Sequence, residues 1–242
     1  MKKIPTLFKR VFTPDHKKTI TREVTPGCEC VLRGECIPTV KWDGACCAII
    51  NGEIYKRYDA KIGRDGKQKI PPKGAIPCQP EPDPITGHWP HWVRCTKENL
   101  EDKYFLEAAE NFFRMPWLSR EPAQPYKLGY IPFRRPETPA ERAMFDGTYE
   151  AIGPCIQSNP YGCTEHTLRR HGDDIIHDLW FRVDGKPDEY AFDKIRGYLE
   201  KYPFEGIVFW KDGVGPICKI KGTDLGFTWP PKERRIINGK VA

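Results

Sequence analysis

Lys41-Trp42-Asp43-Gly44-Ala45-Cys46-Cys47-Ala48-Ile49-Ile50-Asn51-Gly52-Glu53-Ile54-Tyr55-Lys56-Arg57-Tyr58 is the stretch that decides the fold. Asn51-Gly52 stands between two strand-like runs, and both residues tolerate the positive φ angles of a two-residue type I′ turn. The reading is an antiparallel hairpin in which Ile50 faces Glu53. Counting back along both strands sets Cys46 opposite Arg57 on one face. The K-x-D-G of Lys41 to Gly44 therefore feeds directly into a hairpin.

Working outward, a second strand pair is predicted in Phe204 to Trp210 and Pro216 to Lys221, joined by the turn-forming Lys211-Asp212-Gly213-Val214-Gly215. Leu100, Tyr104, Ala108 and Phe112 recur at helical spacing within Asn99 to Met115, and Pro116 ends the run. Thr138-Pro139-Ala140-Glu141 combines an N-cap, a first-turn proline and a capping-box acid, so a short helix starts there. Phe192, Ile195 and Leu199, closed by Pro203, mark a third helix. Seven prolines fall in the twenty residues from Pro71 to Pro90, which argues for a loop-rich insertion over residues 61–95. Strands interleaved irregularly with a few helices predict an α+β fold, mainly antiparallel sheets with flanking helices, as one domain over residues 1–242. Neither a Walker loop nor a dinucleotide fingerprint is present.

Lys and Arg total 39 against 33 Asp and Glu. The resulting surplus of +6 suits a polyanionic partner and equally suits plain solubility. Ten cysteines in 242 residues are too sparse for a small disulfide scaffold, so reduced thiols are expected. Met1 to Phe12 is basic, and Pro5 and Lys9 break its apolar stretch, which suits neither a secretory signal nor a membrane span. A cytoplasmic protein with no membrane association and no obligate protein partner is the expectation.

A lysine attacks phosphorus only as the neutral amine, so a nucleophilic lysine needs desolvation, neighbouring cations or a metal to release its proton. Lys219 and Lys221 are two apart on a predicted strand, which puts both amines on one face, suited to gripping phosphates. Glu150 and Glu205 are carboxylates for ribose hydroxyls or a divalent metal.

These residues, in this order, resemble the covalent nucleotidyltransferase superfamily of RNA ligases, DNA ligases and mRNA capping enzymes. Glu150-Ala-Ile-Gly-Pro154, Asn159-Pro-Tyr-Gly162, Glu205-Gly-Ile-Val-Phe-Trp210, Leu225-Gly-Phe-Thr-Trp-Pro230 and Gly87-His-Trp-Pro90 look more narrowly like the small 5′-3′ RNA ligase family. The resemblance implies a ligase adenylation domain in which Lys41 is the catalytic residue that becomes linked to AMP. It implies nucleotide binding by Asp43, Gly44, Arg57, Glu150, Glu205, Lys219 and Lys221, and metal binding by Glu150 and Glu205. ATP and Mg²⁺ (or Mn²⁺) are the implied cosubstrate and cofactor, and RNA 5′-phosphate and 3′-hydroxyl ends the implied partners. One departure stands out: many relatives carry arginine where this chain has Cys46, and Arg57 is the residue expected to supply that guanidinium from the neighbouring strand. Only 21 residues follow Lys221, too few for a C-terminal oligonucleotide-binding barrel, which favours RNA ligase over capping guanylyltransferase. The alternatives are a DNA ligase, a guanylyltransferase-like enzyme or a non-catalytic RNA-binding domain.

Cys78, His88, His91 and Cys95 have a spacing zinc could use, against a loop pinned by Trp89 and Trp92. Lys61, Arg64, Lys67, Lys69, Lys73, His166, Arg169, Arg170 and His171 are either grips for RNA phosphates or solvated loops. Trp180 and Phe181 are read as core packing rather than as a stack for adenine, and Cys28, Cys30 and Cys36 as small buried hydrophobes.

Overall fold

A computed structural model of the chain describes residues 3–12, 14, 18–63, 66–84, 86–114, 136–179, 181, 186–231, 236–237 and 240–241. In chain order the elements are β1 (Phe8–Phe12), β2 (Lys18–Val24), α1 (Glu29–Leu32), β3 (Ile37–Lys41), β4 (Ala45–Ile50), β5 (Glu53–Ala60), β6 (Ile76–Pro77), β7 (Trp89–Arg94), α2 (Lys103–Arg114), α3 (Pro139–Arg142), β8 (Gly147–Ile152), β9 (Thr167–Arg170), α4 (Ala191–Lys201), β10 (Gly206–Lys211), β11 (Gly215–Lys221), β12 (Ile236–Ile237) and β13 (Lys240–Val241). The paired strands of every sheet run antiparallel, and helices are few, giving a mixed α and β chain. The residues gather into two compact units, one built on Gly44–Arg170 and the other on Ile4–Asp43 with His171–Ala242.

The first unit holds a sheet of six strands in the order β6-β7-β5-β4-β8-β9. Asn51 and Gly52 adopt φ of 51° and 75°, the pair of positive values that a type I′ turn needs, and Ile50 faces Glu53 as the sequence predicts. Asp146 fixes this turn by accepting from the Asn51 N–H (2.7 Å) and the Gly52 N–H (3.0 Å). Cys47 and Ile49 of β4 and Tyr149 and Ala151 of β8 are buried, and α2 lays Ala108, Ala109, Phe112 and Phe113 into the same core. Each large apolar side chain removed from water there stabilises the unit by about 1.5–3 kcal/mol before chain entropy is counted. The expected helix begins one step later than its periodicity suggested. Asn99 caps a single 3₁₀ turn, Leu100–Asp102, on which Leu100 is exposed, and α2 follows. Thr138 and Glu141 form the expected capping box ahead of α3.

Among the described residues of segment 61–95, β6 and β7 interrupt the loops, so its last residues are strand. β7 lies between β6 and β5, and Pro90 takes part through its carbonyl, which accepts from the Cys78 N–H at 2.9 Å. A proline survives there because a carbonyl acceptor does not need the missing N–H.

The second unit holds the sheet β11-β10-β3, the hairpin β1-β2 and the ribbon β12-β13. Period-two alternation sorts its central sheet: Ile207 and Phe209 on β10 and Cys218 and Ile220 on β11 are fully buried against α1 and α4 residues such as Val31, Ile195 and Leu199. Lys219 and Lys221 consequently project from the opposite face. Both outer strands find backbone partners. Lys219 N–H donates to Pro5 C=O (3.0 Å) while its own C=O accepts from Leu7 (2.8 Å), and Val40 N–H donates to Asp174 C=O (2.9 Å).

Candidate active site

The antiparallel register of β3, β10 and β11 sets Lys41, Gly206 and Lys221 in one row across the three strands. Their neighbours on the same face, Thr39, Val208 and Lys219, form the next row. Because Gly206 has no side chain, a gap opens between the two lysines, and the carboxylate of Glu205 fills it. Glu205 is only 5% exposed; one carboxylate oxygen accepts from Lys41 Nζ and the other from Lys221 Nζ. A Cβ at Gly206 would stand 2.1 Å from the Ile220 carbonyl oxygen, so glycine is required for the strands to approach this closely.

Lys219 is the lysine whose proton is loosened. Burial, followed by the charges of Lys41, Lys221 and Arg10, holds its amine down at about 8, against 10.5 for an ordinary lysine. Asp43 is displaced the other way. Burial pushes its carboxyl up, the indole N–H of Trp229 pulls it back by donating to Oδ2 at 2.7 Å, and the nearby charge of Glu205 pushes it up again. Trp42 is fixed by donating from its indole N–H to Asp174 Oδ2 at 2.7 Å. Arg10 holds Asp224 in a fork, with Nη2 at 2.8 and 3.1 Å from the two oxygens, and Asp224 Oδ2 accepts from the Lys221 backbone N–H at 3.1 Å. That chain of contacts anchors the end of β11 and aims Lys221.

The expected site residues thus divide. Lys41, Asp43, Glu205, Lys219 and Lys221 come together in the second unit, while Gly44, Arg57 and Glu150 lie in the first. There, Gly44 N–H donates to Glu150 Oε1 at 3.2 Å, and a Cβ at Gly44 would meet the Ala151 carbonyl oxygen at 2.2 Å. Glu150 sits on β8 between Cys46 of β4 and Arg169 of β9. The β4 and β5 pairing runs Ile50 with Glu53 through Cys47 with Lys56, so the next position brings Cys46 to Arg57. Burial first, and Glu150 second, push the Cys46 thiol up to about 12, with Arg57 acting in the opposite sense. Arg57 is exposed, with Nη2 3.6 Å from Asp59 Oδ2.

Arg10, Asp224 and the Trp229 contact to Asp43 escaped the sequence reading as site features. Asp224 had a signal, an acid three residues after Lys221 where a helical turn begins; Arg10 had none, because its partner is 214 positions away. Cys78, His88, His91 and Cys95 do not gather around a common point. His88 Nδ1 lies 2.8 Å from Asp59 Oδ2 and His91 Nδ1 2.8 Å from the Trp89 carbonyl, and among the described residues no three His, Cys, Asp or Glu side chains form a metal-sized group. Mg²⁺ commonly takes one or two carboxylates and draws the rest of its shell from substrate phosphates and water. Asp43, whose carboxyl feels the charge of Glu205, lies with it in the second unit and the two fit that limited demand, whereas Glu150, the other expected metal ligand, lies in the first unit.

Lys61, Lys67, Lys69 and Lys73 are exposed, whereas Arg64 and Trp180 lie outside the described residues. His166 is no surface grip: it is 4% exposed and stacks on Tyr104 at 4.7 Å. Arg170 donates to the Asp146 carbonyl at 3.2 Å and shields Tyr149. Phe181 packs edge-on to Phe209 in the core, and Cys28, Cys30 and Cys36 are buried there too, as expected. Among the described residues no helix is long and apolar enough to cross a membrane. No protein-family model matches the chain, and no curated protein matches it.

Proposed function

We propose that the chain is an ATP-dependent RNA ligase that joins 5′-phosphate and 3′-hydroxyl ends through a lysyl-AMP intermediate on Lys41. The observation that carries this reading is the row of Lys41, Glu205 and Lys221, backed by Lys219 on the same sheet face. Two amines bracketing one buried carboxylate are suited to hold a phosphate and to move a proton. In the first step a bond forms between Lys41 Nζ and the α-phosphorus, and the bond from that phosphorus to the bridging oxygen of pyrophosphate breaks. Glu205, in contact with Lys41 Nζ, is the base within reach of the proton that the amine must lose. Lys219 and Lys221 draw charge from the phosphoryl oxygens as it develops, which is the dominant form of catalysis in phosphoryl transfer. Lys221 is held in line by Asp224 and Arg10.

The AMP then passes to the 5′-phosphate of an RNA strand, and a 3′-hydroxyl displaces it to close the strand. Of the expected metal carboxylates Glu150 and Glu205, Glu205 would hold Mg²⁺ together with Asp43 of its own unit, and the ion when bound would offset the negative charge of the departing pyrophosphate. Glu150 and Arg57 carry proposed nucleotide-binding roles, Glu150 toward the ribose. An adenylation domain working in the cytoplasm belongs to the same proposal; its ten free cysteines are the state a reducing compartment maintains.

The test is incubation with α-labelled ATP or GTP and Mg²⁺, followed by a chase with 5′-phosphorylated RNA. Label from ATP that becomes acid-stable on the protein and then moves to RNA supports the reading. Label from GTP alone would redirect it to a capping-type reaction, and RNA binding without label would remove catalysis altogether.

A further inference from the structure

The end of α4 and the chain that follows β11 enclose a pocket of about 250 Å³ whose walls are the rings of Phe204, Phe227 and Trp229. This is below the roughly 300–1,000 Å³ that holds a drug-sized ligand, so one flat ring system fits and a whole nucleoside triphosphate does not. Four N–H groups around it are already committed. Phe204 N–H donates to the Tyr202 carbonyl (2.9 Å), Phe227 N–H to that of Gly222 (3.0 Å), and Gly222 N–H to that of Glu205 (2.9 Å). Pro203 and Pro231, also in the lining, have no N–H, and the indole N–H of Trp229 is given to Asp43. The two remaining polar side chains of the lining, Glu200 and Thr228, are exposed at its rim, so the inner walls offer rings and little hydrogen-bond code with which to tell one base from another. Stacking without readout is the way proteins hold single-stranded nucleic acid irrespective of sequence.

The surroundings name the rest of the ligand. Phe204 precedes Glu205 and Gly222 follows Lys221, so two residues of the lining adjoin the amine and carboxylate row. The Arg196 guanidinium stands 5.4 Å from the centroid of the Phe227 ring and Lys221 is one residue from the lining, so cations adjoin the pocket as well as the exposed acid Glu200, and the cations suit a ring attached to a phosphate.

We infer that this pocket receives the base of the 5′-terminal nucleotide of a single-stranded RNA, with its 5′-phosphate at Lys221. The identity of the strand end rests on the ligase reading; the capture of a base rests on the pocket alone.

Calorimetry on the full chain tests this, with a 5′-phosphorylated ten-residue oligoadenylate as one probe and the same strand with an abasic first residue as the other. The wild type is expected to bind the complete strand about tenfold more tightly, the scale of one stacked base. Glu200→Trp fills the mouth of the pocket from an exposed position, and Phe227→Ala removes a wall; both are expected to bind the two strands equally, with Glu200→Gln, which removes the same charge and leaves the pocket open, expected to keep the wild-type preference. If Phe227→Ala fails to fold, Glu200→Trp alone decides. A wild type that binds both strands equally, Glu200→Trp or Phe227→Ala keeping its preference, or Glu200→Gln losing it, would overturn the inference. Variants that lose affinity for ATP alone while keeping the RNA preference would assign the pocket to the mononucleotide and overturn it equally. The two proposals fail separately: base preference erased by both variants in a chain that never forms lysyl-AMP leaves the pocket standing and removes the ligase reading.

Discussion

Replacing Lys219 by methionine keeps the length of the side chain and removes a charge that the fold holds at a cost. In the native chain the amine sits down at about 8, chiefly because of burial and then because of Lys41, Lys221 and Arg10, whereas in the unfolded chain it returns to about 10.5. At about 1.4 kcal/mol per tenfold change in proton affinity, the gap bounds the cost of the charged native form at roughly 3 kcal/mol. Lys219 is partly exposed, and solvent screening reduces this to about 1–2 kcal/mol. The sign follows from proton binding. Between pH 8 and 10.5 the unfolded lysine keeps its proton and the native one has lost it, so this group's contribution to stability rises with pH across that window. Below pH 8 both states are charged and the full penalty remains. Lys219→Met is therefore expected to be more stable than the wild type by about 1–2 kcal/mol at pH 7, while losing most nucleotide transfer. Urea unfolding of both proteins at pH 7, 8.5 and 10 checks it: the gap should shrink as pH rises. A gap that does not change with pH, or a variant less stable at pH 7, refutes the electrostatic account of this face.

Gly206→Ala puts a methyl into the Ile220 carbonyl, and overpacking against backbone is expected to lower unfolding free energy in urea by about 1–3 kcal/mol. An unchanged midpoint would mean that Gly206 does not set the Lys41 to Lys221 row. Trp229→Phe keeps the ring and removes the donor to Asp43, a bond of about 1.5–3 kcal/mol if the carboxylate is charged. Because the indole N–H lowers Asp43, its loss should move the acid limb of the lysyl-AMP formation profile to higher pH. Arg57→Ala is expected to slow nucleotide transfer at least tenfold, on the order of 1.4 kcal/mol of barrier, and Cys46→Arg to restore part of it; an Arg57→Ala protein with wild-type rates contradicts the exchange of guanidinium between β4 and β5.

Local rules carried the parts of the fold that local chemistry governs. Asn51-Gly52 imposes its turn and register wherever the chain goes, and the Thr138 capping box closes on itself within four residues. Lys219 and Lys221 were legible as a pair because strand alternation alone puts them on one face. What escaped was set by partners distant in sequence. The β1-β2 hairpin has little alternating apolar pattern, since only Phe8 of β1 is buried, and its Arg10 gains meaning only from Asp224. β7 was hidden by Pro90, a residue that local propensity counts against a strand although its carbonyl serves the sheet. Leu100 matched the helical period but belongs to the 3₁₀ turn ahead of α2, where its side chain faces solvent. The lowered proton affinity of Lys219 also depended on burial and then on charges that only folding assembles.

Two amines on one sheet face, Lys41 and Lys219, compete to take the nucleotide. Lys219 holds its proton more loosely than an ordinary lysine, yet Lys41 is the one in contact with the base Glu205. Incubating the full chain with ATP and Mg²⁺, digesting it and mapping the AMP-bearing peptide by tandem mass spectrometry separates the two. The expected result is AMP on Lys41, absent from Lys41→Ala and still detectable in slowed form in Lys219→Met; AMP on Lys219, or no protein-linked AMP at all, would contradict it.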